Sequence, residues 1–399
     1  MKSVIKSNRI YTENGIVSGY LVLENGVIKE ITDNKPSNIE IEDFTNKRVI
    51  PGIIDIHNHG FGGWSMTDDA EIKDVKGFAH SLATVGVTGV LPTAKEEAFE
   101  AIADTMSQSY VGANIYGMHS EGPFWARGGE KTIGLTWPLP DLEETKRLVE
   151  KAKGSMKMMA IAPELPNAYN VIKYLHEQNI KVACCHTNSY ADDIYKAEKE
   201  VKLDIATHLG NGMRGIHHRD VGALGGLLLE NNIYYELIAD LNHICPDMIR
   251  IMFKLQPCDK FCLISDSNYM AGLPTGVYLR YGREMFSDEK GLIKNSDGRI
   301  CGSGKWVLFN MSQLEKVVGV DFENIVKMAS LNPAKFLNID HLTGSIKVGK
   351  QADIAIIDDD FNCYKTYVKG EVAFDKKSDD VNSIFNQEAL SKKVRELNS

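Results

Sequence analysis

Residues 53–60, IIDIHNHG, join an apolar run to two histidines two positions apart. Successive side chains of a strand point to opposite faces, so His57 and His59 share one face. Seven further runs of the same kind follow: GVTGVLPT (86–93), NIYGMHSE (114–121), MKMMAIAPE (156–164), IKVACCHT (180–187), LDIATHL (203–209), IYYELIAD (233–240) and KFCLISD (260–266). Most are followed by a loop and then an amphipathic stretch such as DLEETKRLVEKAKG or AYNVIKYLHEQN. Parallel strands require crossover helices, and continuous apolar character fits burial on both faces. Eight such units predict an α/β protein built on a (β/α)8 TIM-like barrel over residues 51–344.

The flanks read differently. Residues 1–50 alternate short β-type runs with turns, and ENG at 24–26 is a hairpin signal. The same style returns in GSIKVGKQADIAIIDDDFNCYKTYVKGEVAFD. Neither piece is long enough to bury a core alone, so residues 1–50 and 345–399 are expected to pair into one small β-sandwich domain. The tail after Phe374 reads as a polar linker followed by a short surface helix.

Hydrophobic residues make up 43% of the 399 and charged residues 25%, which excludes disordered and fibrous classes. A net charge of −9 without a dense Lys/Arg run argues against a nucleic-acid partner and for a small molecule. No apolar run reaches the roughly 20 residues a membrane span needs, and the first residues lack a signal-type apolar segment. A cytoplasmic location is expected. The seven cysteines contain no CxxC, and Cys258 with Cys262 forms only a CxxxC. Reduced, mostly buried thiols are the plainer reading.

Polar residues stand where the strands end. His57 and His59 close the first run, Glu121 the third, His186 nearly the fifth, His208 nearly the sixth and Asp266 the eighth. In a barrel these C-terminal ends converge on one mouth. Four imidazoles and two carboxylates in one cleft have the composition of a divalent-metal site of one or two ions, suited to Zn²⁺ or Fe²⁺, with Mn²⁺ and Co²⁺ also compatible. Unpaired polar groups at buried strand ends would otherwise cost several kcal/mol each. A bound divalent ion lowers the pKa of its water to about 7, so hydrolysis is the expected reaction. Asp266 is the candidate general acid/base. Asp55 reads as a hydrogen-bonding residue. His119 reads either as support for the ligands or as a satisfied core histidine. His80, His176 and His341 read as surface residues, and at most one of His217 and His218 is expected to face the site.

With these residues in hand, the chain resembles the amidohydrolase superfamily. The motifs GMHSEGPF, IAPE, CCHTN, ATHLGNGM, HRDVG, ELIADLNHICP and SDSNYMAG resemble its N-acetylglucosamine-6-phosphate deacetylase branch. The resemblance runs from VIPGIIDIH to GSIKVGKQADI. It implies a deacetylase of an N-acetyl amino-sugar 6-phosphate, acting as a homodimer. Glu121, His186 and His208 would be metal ligands; His57 and His59 would complete a two-metal site bridged by Glu121. Asp266 would be the acid/base, Arg219 would grip the substrate phosphate, His243 would contact the sugar phosphate, and Asn211 and Gly212 would offer backbone groups to substrate. Arg219 could instead form a surface ion pair with Asp220.

Three departures from the branch line one pocket. The segment WARGGEKTIGLTWPLP after EGPF lacks the histidine that contacts substrate in the family, HLFNAM has become HLGNGM, and Ser120 replaces the Leu before the Glu. They leave open a different amide or cyclic amide as substrate. A catalytically silent metal-binding scaffold is the reading from another class, and the presence of Asp266 argues against it.

Overall fold

The computed structural model describes residues 2–37, 39–128 and 136–395. Eight parallel strands form its centre: β1 (Ile53–Asn58), β2 (Val87–Ala94), β3 (Met118–Phe124), β4 (Met156–Ile161), β5 (Lys181–Cys184), β6 (Ile205–Ala206), β7 (Tyr234–Ile238) and β8 (Phe261–Ile264). They pair in chain order from β1 to β8. The ring closes at the strand ends, where Asp266 N–H donates to the His57 carbonyl and His59 N–H to the Ser267 carbonyl, each at 2.9 Å. The expected (β/α)8 barrel is therefore present.

Helices α1 (Ile72–Ala83), α2 (Phe99–Met106), α3 (Leu142–Lys151), α4 (Ala168–Glu177), α5 (Ala191–Glu200), α6 (Gly222–Leu229) and α7 (Pro246–Leu255) alternate with the strands, and α8 (Val307–Gln313) follows the last. Their starts are written in the sequence. Asp141 accepts the Glu144 N–H at 2.8 Å ahead of α3, and Pro246 opens α7 where its missing N–H costs nothing. Every residue of β1 and β2 is buried, which fits their largely apolar character. Side chains such as Ile54, Leu91, Met158, Ala183, Ile205 and Ile264 fill the barrel interior, so it is a packed core and not a pore.

The N-terminal strands and the strands at 354–375 form one mixed eight-stranded sheet. Its seam is Arg48–Pro51, parallel to Lys2–Thr12 on one side and antiparallel to Ile354–Ile357 on the other. The sheet curls until the ENG turn meets the segment leading into Ile354–Ile357: Ile28 N–H donates to the Lys350 carbonyl and Ala352 N–H to the Gly26 carbonyl, both at 2.9 Å. Ile5, Leu21, Leu23, Val49, Ile354 and Ile356 lie inside the curl. The ENG turn has Asn25 and Gly26 at φ of 51° and 83°, as a tight hairpin requires.

Two features differ from the sequence reading. Between β8 and α8 the chain forms four antiparallel strands over residues 276–303, which the apolar patterning did not reveal. The tail is also more than a polar linker and surface helix. Ile384, Phe385 and Ala389 are buried, Phe385 packs edge-to-face on Phe61 at 5.8 Å, and Lys393–Arg395 adds a strand to the inserted sheet. A Cβ at Gly63 would lie 2.7 Å from Ala389 Cβ. Residues 381–395 therefore pack on the barrel rim beside the end of β1, not on the terminal sheet. Ile384, Phe385 and Ala389, with Val381 and Leu390 packed beside them, make that docking within a largely polar stretch. Among the described residues no helix is long and apolar enough to cross a membrane.

Candidate metal centre

The strand ends bring His57, His59, Glu121, His186, His208 and Asp266 into one cluster. Glu121 Oε1 lies 2.9 Å from His208 Nε2 and 3.2 Å from His186 Nε2, while Oε2 lies 3.3 Å from His59 Nε2. Asp266 Oδ1 lies 3.3 Å from His59 Nε2 and 3.5 Å from His57 Nε2. His57 Nε2 and His59 Nε2 are 3.3 Å apart. His186, His208 and Asp266 have φ of 45°, 31° and 49°. The left-handed region costs a non-glycine residue about 1 kcal/mol or more, and these three stand at the ends of β5, β6 and β8.

A third carboxylate was missed. Glu236, in the middle of β7, is fully buried, accepts the His208 N–H at 3.0 Å and lies 2.8 Å from His57 Nδ1. The sequence did carry a signal: a Glu inside the apolar run YYELI is as anomalous as Glu121. The plain reading of Cys185 as a buried thiol also left its position unnoticed, since Sγ lies 3.6 Å from Glu121 Oε1. Asp55 accepts from Ser265 Oγ at 2.6 Å and Asn58 Nδ2 at 2.9 Å, and burial pushes its carboxyl up to about 6. His119 stands edge-on to His57 at 4.8 Å, bonded through Nδ1 to Thr93 and without a partner at its buried Nε2.

The carboxylates of this cluster draw positive charge toward them. Burial opposes charge on Glu121, but hydrogen bonds from His186, His208 and His59 hold it well below the usual carboxylate range. Burial likewise opposes Asp266, and the His59 hydrogen bond with the charges of His57, His59 and His208 brings it to about 2. Burial works against charge on His57, yet Glu236, Asp266 and Glu121 push it up to about 10. Among the described residues no Lys or Arg pairs with these three carboxylates. Imidazole nitrogens converging on carboxylates that meet no Lys or Arg among the described residues are the donor chemistry of zinc and similar first-row ions, so the residues present fit such a metal. Three combinations bring potential ligand atoms within 4.8 Å of one another: Glu121 with Cys185, His186 and His208; His57 with His59 and Asp266; and His57 with His119 and Glu236.

The expected substrate residues stand around this cluster rather than within it. Asn211 turns back on its own strand end, donating from N and Nδ2 to the His208 carbonyl at 2.9 and 3.1 Å. Gly212, at φ 60°, packs so closely on His186 that a Cβ would lie 2.5 Å from Nδ1. Arg219 is exposed on the loop before α6. Asp220 does not pair with it but accepts the Gly222 N–H at 2.7 Å, so the surface ion pair is not formed. His217 and His218 stack on each other at 4.1 Å and are both exposed. His243 Nδ1 lies 2.8 Å from Asp240 Oδ2; burial opposes its charge and the Asp240 bond outweighs it, raising the imidazole above its ordinary range.

Beyond Glu121, Trp125 lies over the His186 ring at 4.3 Å, and Trp137 approaches Trp125 at 6.0 Å. Residues 129–135 of the segment without the family histidine lie outside the described residues.

Comparison with known proteins agrees with the geometry. A model of the amidohydrolase family matches residues 48–381. The N-acetylglucosamine-6-phosphate deacetylase of Vibrio furnissii is 31% identical over 82% of this chain and 83% of its own. The N-acetylgalactosamine-6-phosphate deacetylase of Escherichia coli O157:H7 is 28% identical over 94% of this chain and 100% of its own. Among solved structures, N-acetylglucosamine-6-phosphate deacetylase from Pasteurella multocida superposes with a TM-score of 0.84 at 26% identity, covering 93% of this chain and 99% of the other.

Proposed function

The chain belongs to the amidohydrolase family, and from that premise we propose that it deacetylates an N-acetyl amino-sugar 6-phosphate, either N-acetylglucosamine-6-phosphate or its galactosamine counterpart. The observation that carries the reading is Glu121, with two imidazoles on one carboxylate oxygen and His59 on the other. Glu121, His186 and His208 would hold one ion; His57, His59 and Asp266 would hold a second, with Glu121 shared. When bound, a divalent cation polarises the amide carbonyl and acidifies water near neutral pH. Asp266 is ionised at neutral pH, so it takes a proton from the attacking water and returns it to the amine nitrogen as the C–N bond breaks. Arg219, whose guanidinium meets no carboxylate among the described residues, binds the phosphate. His243, whose charged form the Asp240 bond favours, donates to the sugar phosphate, and the backbone at Asn211 and Gly212 lines the substrate. Zn²⁺ or Fe²⁺ as the ion, a homodimer as the assembly and the cytoplasm as the compartment belong to the same proposal.

Release of acetate from either sugar phosphate by Zn²⁺-, Fe²⁺- or Mn²⁺-loaded protein is the expected result. A different amide or cyclic amide is the second reading, motivated by the segment WARGGEKTIGLTWPLP, which lacks the family histidine. Faster turnover of such amides than of both sugar phosphates would decide for it.

A further inference from the structure

Cys185 immediately precedes His186, and its side chain is fully buried in the barrel interior. Its Sγ lies 3.6 Å from Glu121 Oε1 and 3.7 Å from His208 Nε2, and those two atoms are 2.9 Å apart. Donors at 2.0–2.3 Å from one tetrahedral ion are separated by roughly 3.3–3.6 Å. The thiol therefore stands at nearly the distance from both partners that a shared ion would impose.

We propose that Cys185 is a thiolate ligand of the ion held by Glu121, His186 and His208. The inference rests on the metal reading above. A sulfur–metal bond forms, and the thiol proton leaves to solvent, as for any coordinating thiol. Sulfur is a soft donor, so the site then favours Zn²⁺ or Fe²⁺ over Mn²⁺, a preference that imidazole and carboxylate alone impose less sharply. A water or substrate position still requires coordination beyond four, which zinc reaches by becoming five-coordinate. The competing explanation is a thiol that fills the barrel and donates a weak hydrogen bond to Glu121. Cys184 is an internal control, being equally buried but packed in the outer core and not in this cluster.

The test is to load the full-length protein with Co²⁺ and record its spectrum. Visible d–d bands report an ion in the site, and a near-ultraviolet sulfur-to-cobalt charge-transfer band reports the thiolate. Both are expected in the wild type and in Cys184→Ala, whereas Cys185→Ala should keep the d–d bands and lose the charge-transfer band. d–d bands without charge transfer in the wild type, or charge transfer surviving in Cys185→Ala, would overturn the proposal. Absence of both bands would overturn the metal reading and the ligand with it. Should Cys185→Ala fail to fold, X-ray absorption of the Zn²⁺-loaded wild type decides: a sulfur scatterer at about 2.3 Å supports the ligand, and only nitrogen and oxygen at about 2.0–2.1 Å refutes it. Cys185→Ser should lower the Zn²⁺-to-Mn²⁺ affinity ratio by about tenfold or more, at least the loss typical of an outer partner of a metal ligand; an unchanged ratio would refute the thiolate.

Discussion

In the terminal sheet, Lys350 Nζ meets Glu13 Oε1 at 2.9 Å, Lys365 Nζ meets Asp375 Oδ2 at 2.8 Å, and Arg48 joins Asp359 at 2.9 Å and Glu315 at 3.0 Å. At the barrel mouth, Glu121, Asp266 and Glu236 are buried at least as deeply and meet imidazoles, with no Lys or Arg among the described residues. The first arrangement is complete as it stands, because each buried charge has a partner of permanent opposite sign. The second meets only imidazoles, whose charge is not permanent. Complete pairing belongs to stability and incomplete pairing to chemistry, as expected where perturbed carboxylates collect in one cleft.

The most severe way to break this contrast is Asp266→Asn. If Asp266 shuttles the proton, the variant should lose about 10²- to 10⁴-fold in kcat while keeping the ion held by Glu121, His186 and His208, as measured by acetate release and metal analysis side by side. Unchanged turnover would remove Asp266 from the chemistry and leave it a charge like those in the sheet.

Glu236→Gln sharpens the contrast with a smaller effect. Its carboxylate is fully buried against His57 Nδ1, so it is expected to act through that ligand. Gln keeps the shape and loses the charge, and metal affinity should fall about 10- to 100-fold. Saturating metal should restore most of kcat, a split that a general packing defect would not produce. Metal affinity equal to wild type would mean that His57 needs no orienting carboxylate.

What could be read from the sequence follows the same division. A charged or imidazole residue at the end of an apolar run is visible because it violates the run, and that violation exposed His57, His59, Glu121, His186, His208 and Asp266. Glu236 violates its run equally but sits in mid-strand, and attention to strand ends passed over it. Cys185 violates nothing, since a buried thiol is ordinary; only the distance to Glu121 distinguishes it. The eight barrel strands were legible because burial on both faces keeps them predominantly apolar. The inserted strands at 276–303 and the docking of Phe385 on Phe61 were not, because partly exposed strands and a few apolar residues in a polar tail leave no periodic trace.

The smallest expected effect lies on the paired side. Glu13 is opposed by burial but held at about 2, against 4.5 for the free side chain, by Ser345, Lys347 and Lys350. Its folded pKa is the lower one, so between these values the unfolded chain binds the extra proton. The contribution is full above pH 4.5 and fades as the pH falls toward 2. Glu13 is partly open to solvent, which screens the pair, and the contribution should stay within about 1 kcal/mol. Glu13→Gln should accordingly lower the unfolding midpoint slightly at pH 7 and converge on the wild type as the pH approaches 2. Acetate release should not change at any pH where both proteins are folded. A midpoint difference that persists undiminished at the acid end would show that the glutamine disturbs packing rather than removing a charge pair, and an altered acetate rate would mean that the sheet's charges are not separate from the chemistry after all.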